Sequence, residues 1–191
     1  GSRPTPINQM LRDVDMSGKF LAIEVLTKAN FAPFGIVIET GGATQIEINQ
    51  GTTTRFDALA DCDNAYQGGT PIISLFRGTP RADPIAIKLM ERHPRGSQAF
   101  FPLSPEDWLV VVAPTNADDT GPDFAKLRCF RANGHQGVSY ARGTWHHPLL
   151  VLAPVQDFLV IDRKAPAGEA AGANLDEVWV PGDGVAALIQ P

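Results

Sequence analysis

The chain has 191 residues, of which 43% are hydrophobic and 19% charged, and its formal net charge is −5. This length can bury the core of one well-packed domain. The negative charge, without any long basic block, argues against nucleic acid or an anionic membrane surface as a partner. No apolar run approaches the roughly 18 residues of a membrane-spanning helix, and no secretory leader is visible, so we expect neither insertion into a membrane nor secretion.

The two cysteines indicate the compartment. Cys62 and Cys129 are too few for a disulfide framework. Cys129 alternates within a strand-like run, so we expect it to be a reduced thiol in the core. The expected location is the cytoplasm. Gly1 and Ser2 have the sequence of a cloning scar, so a native leader could have been removed.

Strands and turns dominate the pattern, because 18 glycines and 16 prolines separate short β-branched runs. In chain order, the expected strands are residues 20–26, 34–39, 44–49, 72–77, 85–89, 108–113, 127–131, 149–153 and 157–163. A short helical turn begins at its cap, Thr27, and ends at Asn30. This spacing predicts a mostly β fold, a single antiparallel β-barrel or double-sheet jelly roll with a few short helices.

The predicted organisation has three parts. Residues 1–18 lack a clean period and are expected to form an N-terminal extension. Residues 19–165 form the barrel domain. Residues 166–191 form a C-terminal extension that starts with a loop rich in small residues and contains an edge strand near residues 178–180.

A first cluster of polar residues follows the strand at residues 85–89. Successive side chains of a strand alternate between its faces, so Ile85, Ile87 and Leu89 share one face, and Glu91 and His93 should continue it. Glu91 and His93 could then bind one small ligand. The alternative is that Glu91 faces solvent and His93 only makes a hydrogen bond in the turn.

Two further residues complete a pattern that resembles the metal motif of the cupins. Gln98 follows the turn after His93, and His146 lies about fifty residues later. The usual cupin set is His-x-His-x4-Glu with a later His, so Glu91 stands in place of the first His and Gln98 in place of the Glu. Such nitrogen and oxygen donors suit nickel, manganese, iron or zinc.

Adjacent residues of a strand face opposite sides, so His146 and His147 cannot both point into the barrel. We expect His146 inside and His147 at the rim or in a structural role. His135 lies in a turn and is expected to be exposed and functionally silent.

Arg55, Arg77 and Arg163 lie near strand ends or turns, beside other polar residues. A guanidinium group suits bidentate binding of a carboxylate, although most surface arginines are solvated charges. Dinucleotide, nucleoside triphosphate and serine-esterase chemistry is disfavoured, because the Gly-rich and Gly-x-Ser-x-Gly motifs that carry it are absent, so no nucleotide cofactor is expected.

Several segments together resemble the ureidoglycolate lyase family, also called ureidoglycolate hydrolase, within the cupin superfamily. The most specific is ERHPRGSQAFFPL at residues 91–103. The others are residues 31–39, 49–56, 133–138, 144–149 and 157–163, in order. The resemblance covers about residues 20–165.

The resemblance implies cleavage of ureidoglycolate to glyoxylate and urea, a late step of allantoin and purine-nitrogen breakdown. It also implies a homodimer and a divalent metal such as nickel, manganese or zinc, held by Glu91, His93, Gln98 and His146. On this interpretation Glu91, His93 and His146 transfer protons or bind the metal. The carboxylate-binding candidates are Arg55, Arg77 and Arg163, and those for the urea amide are Asn49 and Gln98.

Two alternatives stay open at this point. One is a different cupin enzyme, either an amidohydrolase that releases ammonia and CO₂ from ureidoglycolate in place of urea or a lyase that acts on a related carbinolamide. The other is a cupin that binds a small molecule without catalysis, which the altered metal set would explain.

Overall fold

The computed structural model describes residues 19–191, so the predicted extension at residues 1–18 lies outside the described residues. Its strands are β1 (Ile23–Val25), β2 (Gly35–Ile38), β3 (Thr44–Ile48), β4 (Thr53–Asp57), β5 (Thr70–Gly78), β6 (Ile85–Ile87), β7 (Leu89–Arg92), β8 (Gln98–Pro102), β9 (Trp108–Ala113), β10 (Arg128–Ala132), β11 (Gly137–Tyr140), β12 (Trp145–His146), β13 (Leu150–Val151), β14 (Gln156–Lys164), β15 (Asp176–Trp179) and β16 (Ala187–Ile189). The helical elements of these residues are α1 (Lys28–Phe31) and 3-10 turns at Asn49–Gly51, Tyr66–Gly68, Phe124–Lys126 and Pro181–Asp183. The prediction of a mostly β fold is confirmed.

Two large sheets form the body of the molecule. The seven-stranded sheet has the order β1-β10-β9-β12-β7-β15, with β13 also paired to β9. The five-stranded sheet has the order β2-β11-β8-β14-β5. All their pairings are antiparallel except that of β1 with β10. Two short ribbons, β6 with β16 and β3 with β4, are separate.

The central strand β9 of the seven-stranded sheet is buried on both faces, as its continuous apolar run predicts. Val110 and Val112 belong to a core shared with the five-stranded sheet. Leu109 and Val111 belong to a second core, which includes residues of the β6–β16 ribbon. The molecule therefore has three layers, and the cavity described below lies between the two large sheets.

The predicted helical turn is also confirmed. Thr27 is the N-cap of α1, and its side chain accepts a hydrogen bond from the backbone N–H of Asn30 at 3.1 Å. The cap satisfies one of the N–H groups that a helix start leaves without a partner. Phe31, at the end of α1, is fully buried in the core between the sheets.

The prediction that Glu91 lies on the same face as Ile85 and Ile87 is wrong. The strand is broken at Lys88, which separates β6 from β7. Ile85 and Ile87 pack in the second core together with Met90, the neighbour of Glu91. The break therefore shifts the alternation by one residue, and Glu91 faces away from those isoleucines.

The segment after residue 165 is joined to the sheets. β15 pairs with β7 at the edge of the seven-stranded sheet, and β16 pairs with β6. Within residues 19–191, no helix is both long enough and apolar enough to cross a membrane.

Candidate metal centre and cavity

A cavity of about 370 Å³ opens between the two large sheets. Residues from both sheets and from the loops after β5 and β12 line it: Phe76, Arg77, Gly78, Arg81, Glu91, Gln98, Phe100, Tyr140, His146, His147, Pro148 and Leu149. It combines apolar walls with a few convergent polar groups, which is the usual character of a small-molecule site.

Strand pairing brings three of the predicted residues together. His146 of β12 lies directly opposite Glu91 of β7 in the antiparallel register, and His93 follows the end of β7. One ligand-capable atom from each of Glu91, His93 and His146 lies within 4.8 Å of the other two. This is close enough for all three to contact one ion or one small group.

Backbone carbonyls fix the tautomers of His93 and His146. His93 Nδ1 lies 2.9 Å from the carbonyl oxygen of Asn174, and His146 Nδ1 lies 2.9 Å from that of Thr144. A carbonyl oxygen can only accept a hydrogen bond, so each Nδ1 carries a proton, and in the neutral ring each Nε2 presents a lone pair. Both Nε2 atoms are buried and have no hydrogen-bond partner in the protein.

This arrangement fits a divalent metal. A histidine that ligates a metal typically donates its other ring N–H to a carbonyl or carboxylate, as both do here. The lone pair of His146 Nε2 faces Glu91 Oε1 at 3.5 Å, so two acceptors confront each other unless a proton or a cation lies between them. The donor set matches the residues that bind zinc, nickel or manganese.

Gln98 adds a neutral oxygen to the same cavity. Its Nε2 donates to Asp162 Oδ2 at 3.2 Å, while its Oε1 is buried without a partner. This amide group can therefore accept a hydrogen bond from a ligand or contribute an oxygen to an ion.

The pKa values follow from burial and neighbouring charge. Burial lowers the pKa of His93, and the adjacent His146 lowers it further. Burial alone would raise the pKa of Glu91, but its contact with His146 outweighs that effect, and the pKa is lowered. Glu91 is thus held as a carboxylate that can accept a proton or bind a cation.

The expectation that His147 lies at the rim is wrong. β12 ends at His146, so strand alternation does not extend to His147, which is 3% exposed and lines the same cavity. Its Nδ1 donates to the carbonyl oxygen of Pro148 at 2.8 Å, and its Nε2 is buried without a partner. Burial lowers the pKa of His147 to about 4, so the ring is neutral at pH 7.

Tyr140 lines the cavity and was not among the predicted site residues. Its ring stacks on that of His146, and burial raises its pKa above the ordinary value. The sequence alone does not indicate this role for Tyr140. It follows from the pairing of β11 with β8, which places Tyr140 directly opposite Gln98.

The predicted substrate-binding residues lie in three different places. Asn49 and Arg55 are exposed at the β3–β4 ribbon, where Arg55 pairs with Asp57 at 2.7 Å. Arg77 lines the cavity but makes two hydrogen bonds to Asp157, at 2.9 and 3.1 Å. Of the three predicted arginines, only Arg77 lines the cavity, as Gln98 does.

Arg163 belongs to an ion-pair network that holds the C-terminal segment. It makes two hydrogen bonds to Glu169, at 2.7 and 2.8 Å, and Arg95 makes a third at 2.8 Å. The same segment places Asn174, whose side-chain oxygen accepts from the backbone N–H of Arg95 at 2.7 Å. This network therefore positions the carbonyl oxygen that bonds to His93.

Comparison with known proteins assigns the family. The sequence profile described as ureidoglycolate lyase matches residues 18–186, which is most of the chain. The chain belongs to the ureidoglycolate lyase family. It is therefore a member of a family of lyase enzymes, and the match continues past residue 165 into the C-terminal segment.

Curated members of the ureidoglycolate lyase family are similar along nearly their whole length. The chain is 52% identical to the ureidoglycolate lyase of Burkholderia mallei over 171 residues, covering 89% of this chain and 98% of that protein. It is 50% identical to that of Burkholderia cepacia, covering 86% and 92%. Ureidoglycolate lyase 1 of Rhizobium meliloti is 48% identical, covering 84% and 92%.

Among solved structures, one partial likeness is to the manganese-containing oxalate decarboxylase of Bacillus subtilis. Its TM-score is 0.34 and its identity 11%, covering 58% of this chain and 24% of that one.

Proposed function

We propose that this protein cleaves ureidoglycolate to glyoxylate and urea, in a late step of allantoin and purine-nitrogen breakdown. The observation that carries the proposal is the cluster of Glu91, His93 and His146 in the cavity of a member of the ureidoglycolate lyase family. Both described cysteines are free thiols, which suits the reducing cytoplasm as the compartment.

The reaction requires one proton to leave the hydroxyl group and one to reach the departing nitrogen. Loss of the hydroxyl proton forms the aldehyde C=O of glyoxylate, the C–N bond breaks, and the nitrogen of urea takes up a proton. Glu91, held as a carboxylate, suits the base, and the histidines suit return of the proton. Gln98 suits the urea amide, because its free Oε1 can accept an N–H.

We propose that Glu91, His93 and His146, with Gln98, also bind a divalent metal such as nickel, manganese or zinc. The unpartnered Nε2 atoms and the carboxylate beside them support this. When bound, such an ion polarises oxygen ligands and lowers the pKa of a bound hydroxyl group. The protein's own residues would position the substrate beside such an ion.

Product analysis tests the proposed reaction. Purified protein incubated with ureidoglycolate should release glyoxylate and urea in equal amounts, with no ammonia. Release of ammonia and CO₂ without urea would instead show the amidohydrolase, and binding without any product would show a non-catalytic cupin.

The metal has its own test, independent of turnover. Calorimetric titration of chelator-treated protein with nickel, manganese and zinc should show one binding site per chain. His146→Ala should lose this site, while His135→Ala, which changes an exposed turn, should keep it. Equal metal affinity in wild type and His146→Ala would remove the metal from the proposal.

We also propose that the protein is a homodimer formed through the outer face of the five-stranded sheet. Two register rows of this face contain no charged residue: Ile36, Ser139, Ala99, Ile161 and Ile73, and next to them Ile38, Gly137, Phe101, Leu159 and Leu75. Ile73 and Leu75 are 71% and 65% exposed. The outward face of an antiparallel sheet is normally polar when it meets water.

The size of this face suits a second copy of the chain as its partner. Five strands at about 4.8 Å spacing and two rows of side chains about 7 Å apart make an apolar patch on the order of 300 Å². A polar rim around this patch would supply the rest of the roughly 800 Å² per partner of a standard interface. A flat apolar face is also complementary to itself, as a two-fold dimer requires.

A further inference from the structure

Arg81 differs from every other arginine that the structure describes. Residues 19–191 contain nine arginines, and eight of them have a carboxylate oxygen within 4.0 Å: Arg55, Arg77, Arg92, Arg95, Arg128, Arg131, Arg142 and Arg163. Arg81 has none among these residues. Its guanidinium group is therefore a positive charge that the described part of the protein does not neutralise.

This free charge lies at the candidate site. Arg81 belongs to the loop between β5 and β6, is exposed, and lines the same cavity as Glu91 and His146. An exposed arginine on a loop over a concave polar site can close on an anionic ligand.

The cavity thus has opposite charges on two of its lining residues. Glu91 is a half-buried carboxylate paired with the histidines, whereas Arg81 lies on the exposed loop. An anionic group entering the cavity is repelled by Glu91 and attracted by Arg81. A ligand with one carboxylate would therefore be held in a single orientation.

The other arginine of the cavity is less suited to this role. Both Nε and one terminal nitrogen of Arg77 are already bonded to the carboxylate oxygens of Asp157. Binding a second carboxylate in the same bidentate manner would require breaking that pair. Arg81, by contrast, donates no side-chain hydrogen bond to any residue from 19 to 191, so its planar set of donors can meet a carboxylate.

We propose that Arg81 binds the carboxylate of the substrate and so directs the hydroxyl and ureido groups toward Glu91 and His146. This inference rests on the proposed function for the identity of the substrate. The recognition itself is of a small 2-hydroxy carboxylate, which can be measured without turnover.

Steady-state kinetics give the first test. In Arg81→Ala, we expect KM for ureidoglycolate to rise about 10- to 100-fold, the range of a lost charge-assisted bidentate contact, with kcat changed less than about threefold. Arg81→Lys should recover part of this loss because it restores the charge without the planar fork. Arg131→Ala is the matched control, since Arg131 is half-exposed, pairs with Asp107 and lies outside the cavity lining.

Ligand binding gives the second test and separates this inference from the proposed function. Glycolate and its uncharged amide, glycolamide, differ only at the carboxylate. In calorimetric titrations, Arg81→Ala should lose affinity for glycolate and keep its affinity for glycolamide, whether or not the wild type turns over ureidoglycolate. Absence of glyoxylate and urea from the wild type would refute the proposed reaction alone.

The inference is overturned if Arg81→Ala binds glycolate as tightly as the wild type does. It is also overturned if the affinities for glycolate and glycolamide fall equally, because the arginine would then shape the loop and not recognise charge. Thermal melting of Arg81→Ala and Arg81→Lys checks that both variants fold. If only the alanine variant has a reduced melting temperature, the affinities of the lysine variant for glycolate and glycolamide distinguish these outcomes.

Discussion

The ring of Tyr140 lies nearly parallel to the ring of His146, with centroids 4.2 Å apart and an angle of 12° between the planes. Tyr140 belongs to the five-stranded sheet and His146 to the seven-stranded sheet. The stack therefore joins the two sheets at the candidate site. The position of the imidazole depends on how the sheets pack, as well as on its own strand.

We predict that Tyr140→Phe keeps both fold and rate, whereas Tyr140→Ala loses both. Phenylalanine retains the stack on His146, the tilted contact with Phe31 and the edge contact with Phe100. Truncating a buried aromatic to alanine costs about 3–5 kcal/mol of unfolding free energy. Urea denaturation and glyoxylate release measure the two effects. A rate loss above about tenfold in Tyr140→Phe would contradict this and assign the hydroxyl group a direct role.

We predict that His146→Ala lowers glyoxylate release by at least about 100-fold, the lower end of the range for a lost acid–base group. Circular dichroism should show retained folding, since the imidazole occupies a cavity wall. His135→Ala is the control and should have the wild-type rate. A wild-type rate in His146→Ala would exclude the residue from the mechanism.

We predict that Glu169→Gln lowers the melting temperature at pH 7, because it leaves Arg163, whose side chain is 0% exposed, without a charged partner. The bonds from Arg163, and then those from Arg95, lower the pKa of Glu169 to about 2 from its usual 4.5. A lowered pKa in the folded state means that the stabilisation is complete above pH 4.5 and is lost as pH falls toward 2.

The difference in melting temperature between wild type and Glu169→Gln should therefore shrink across that acid range. Glu106→Gln, an exposed glutamate without an ion pair among the described residues, is the control and should behave as the wild type at every pH. A difference that stays constant from pH 7 to pH 2 would argue against the ion-pair explanation.

We predict that Leu75→Glu converts the proposed dimer into a monomer, because two copies of the charge would be buried in a face that offers no partner for them. Light scattering coupled to size-exclusion chromatography measures the mass. Val25→Glu is the control, since Val25 is 73% exposed on the other sheet. A wild type that is monomeric at micromolar concentration would refute the dimer itself.

Much of the fold could be predicted because strand periodicity is a local signal. The six buried residues of β9 and the cap at Thr27 illustrate this. The sequence could not predict that Ile87 and Glu91 lie on opposite faces. The strand breaks at Lys88 because β6 pairs with β16 whereas β7 pairs with β12. The local composition of residues 85–92 does not indicate that the two strands have different partners.

The candidate site could be predicted only where its geometry is local or where the resemblance supplied the link. Glu91 and His93 are two residues apart, while His146 was connected to them through the family motif. The sequence could not show which arginines are paired with carboxylates, because the partner can be far away in the chain. Arg77, for example, bonds to Asp157, which is 80 residues away. The free charge of Arg81 becomes visible only when every other pair is known.

The hydrogen bond between His93 and Asn174 spans 81 positions of the chain and has a consequence for the order of assembly. During synthesis, His93 leaves the ribosome well before Asn174, so its ring lacks the acceptor that fixes its proton. The lone pair of its Nε2 is not held toward Glu91 until the C-terminal segment has folded back. The strands that carry Glu91 and His146 precede Asn174 in the chain, so they can pair first, but the site becomes competent only once the segment around Asn174 has folded back onto them.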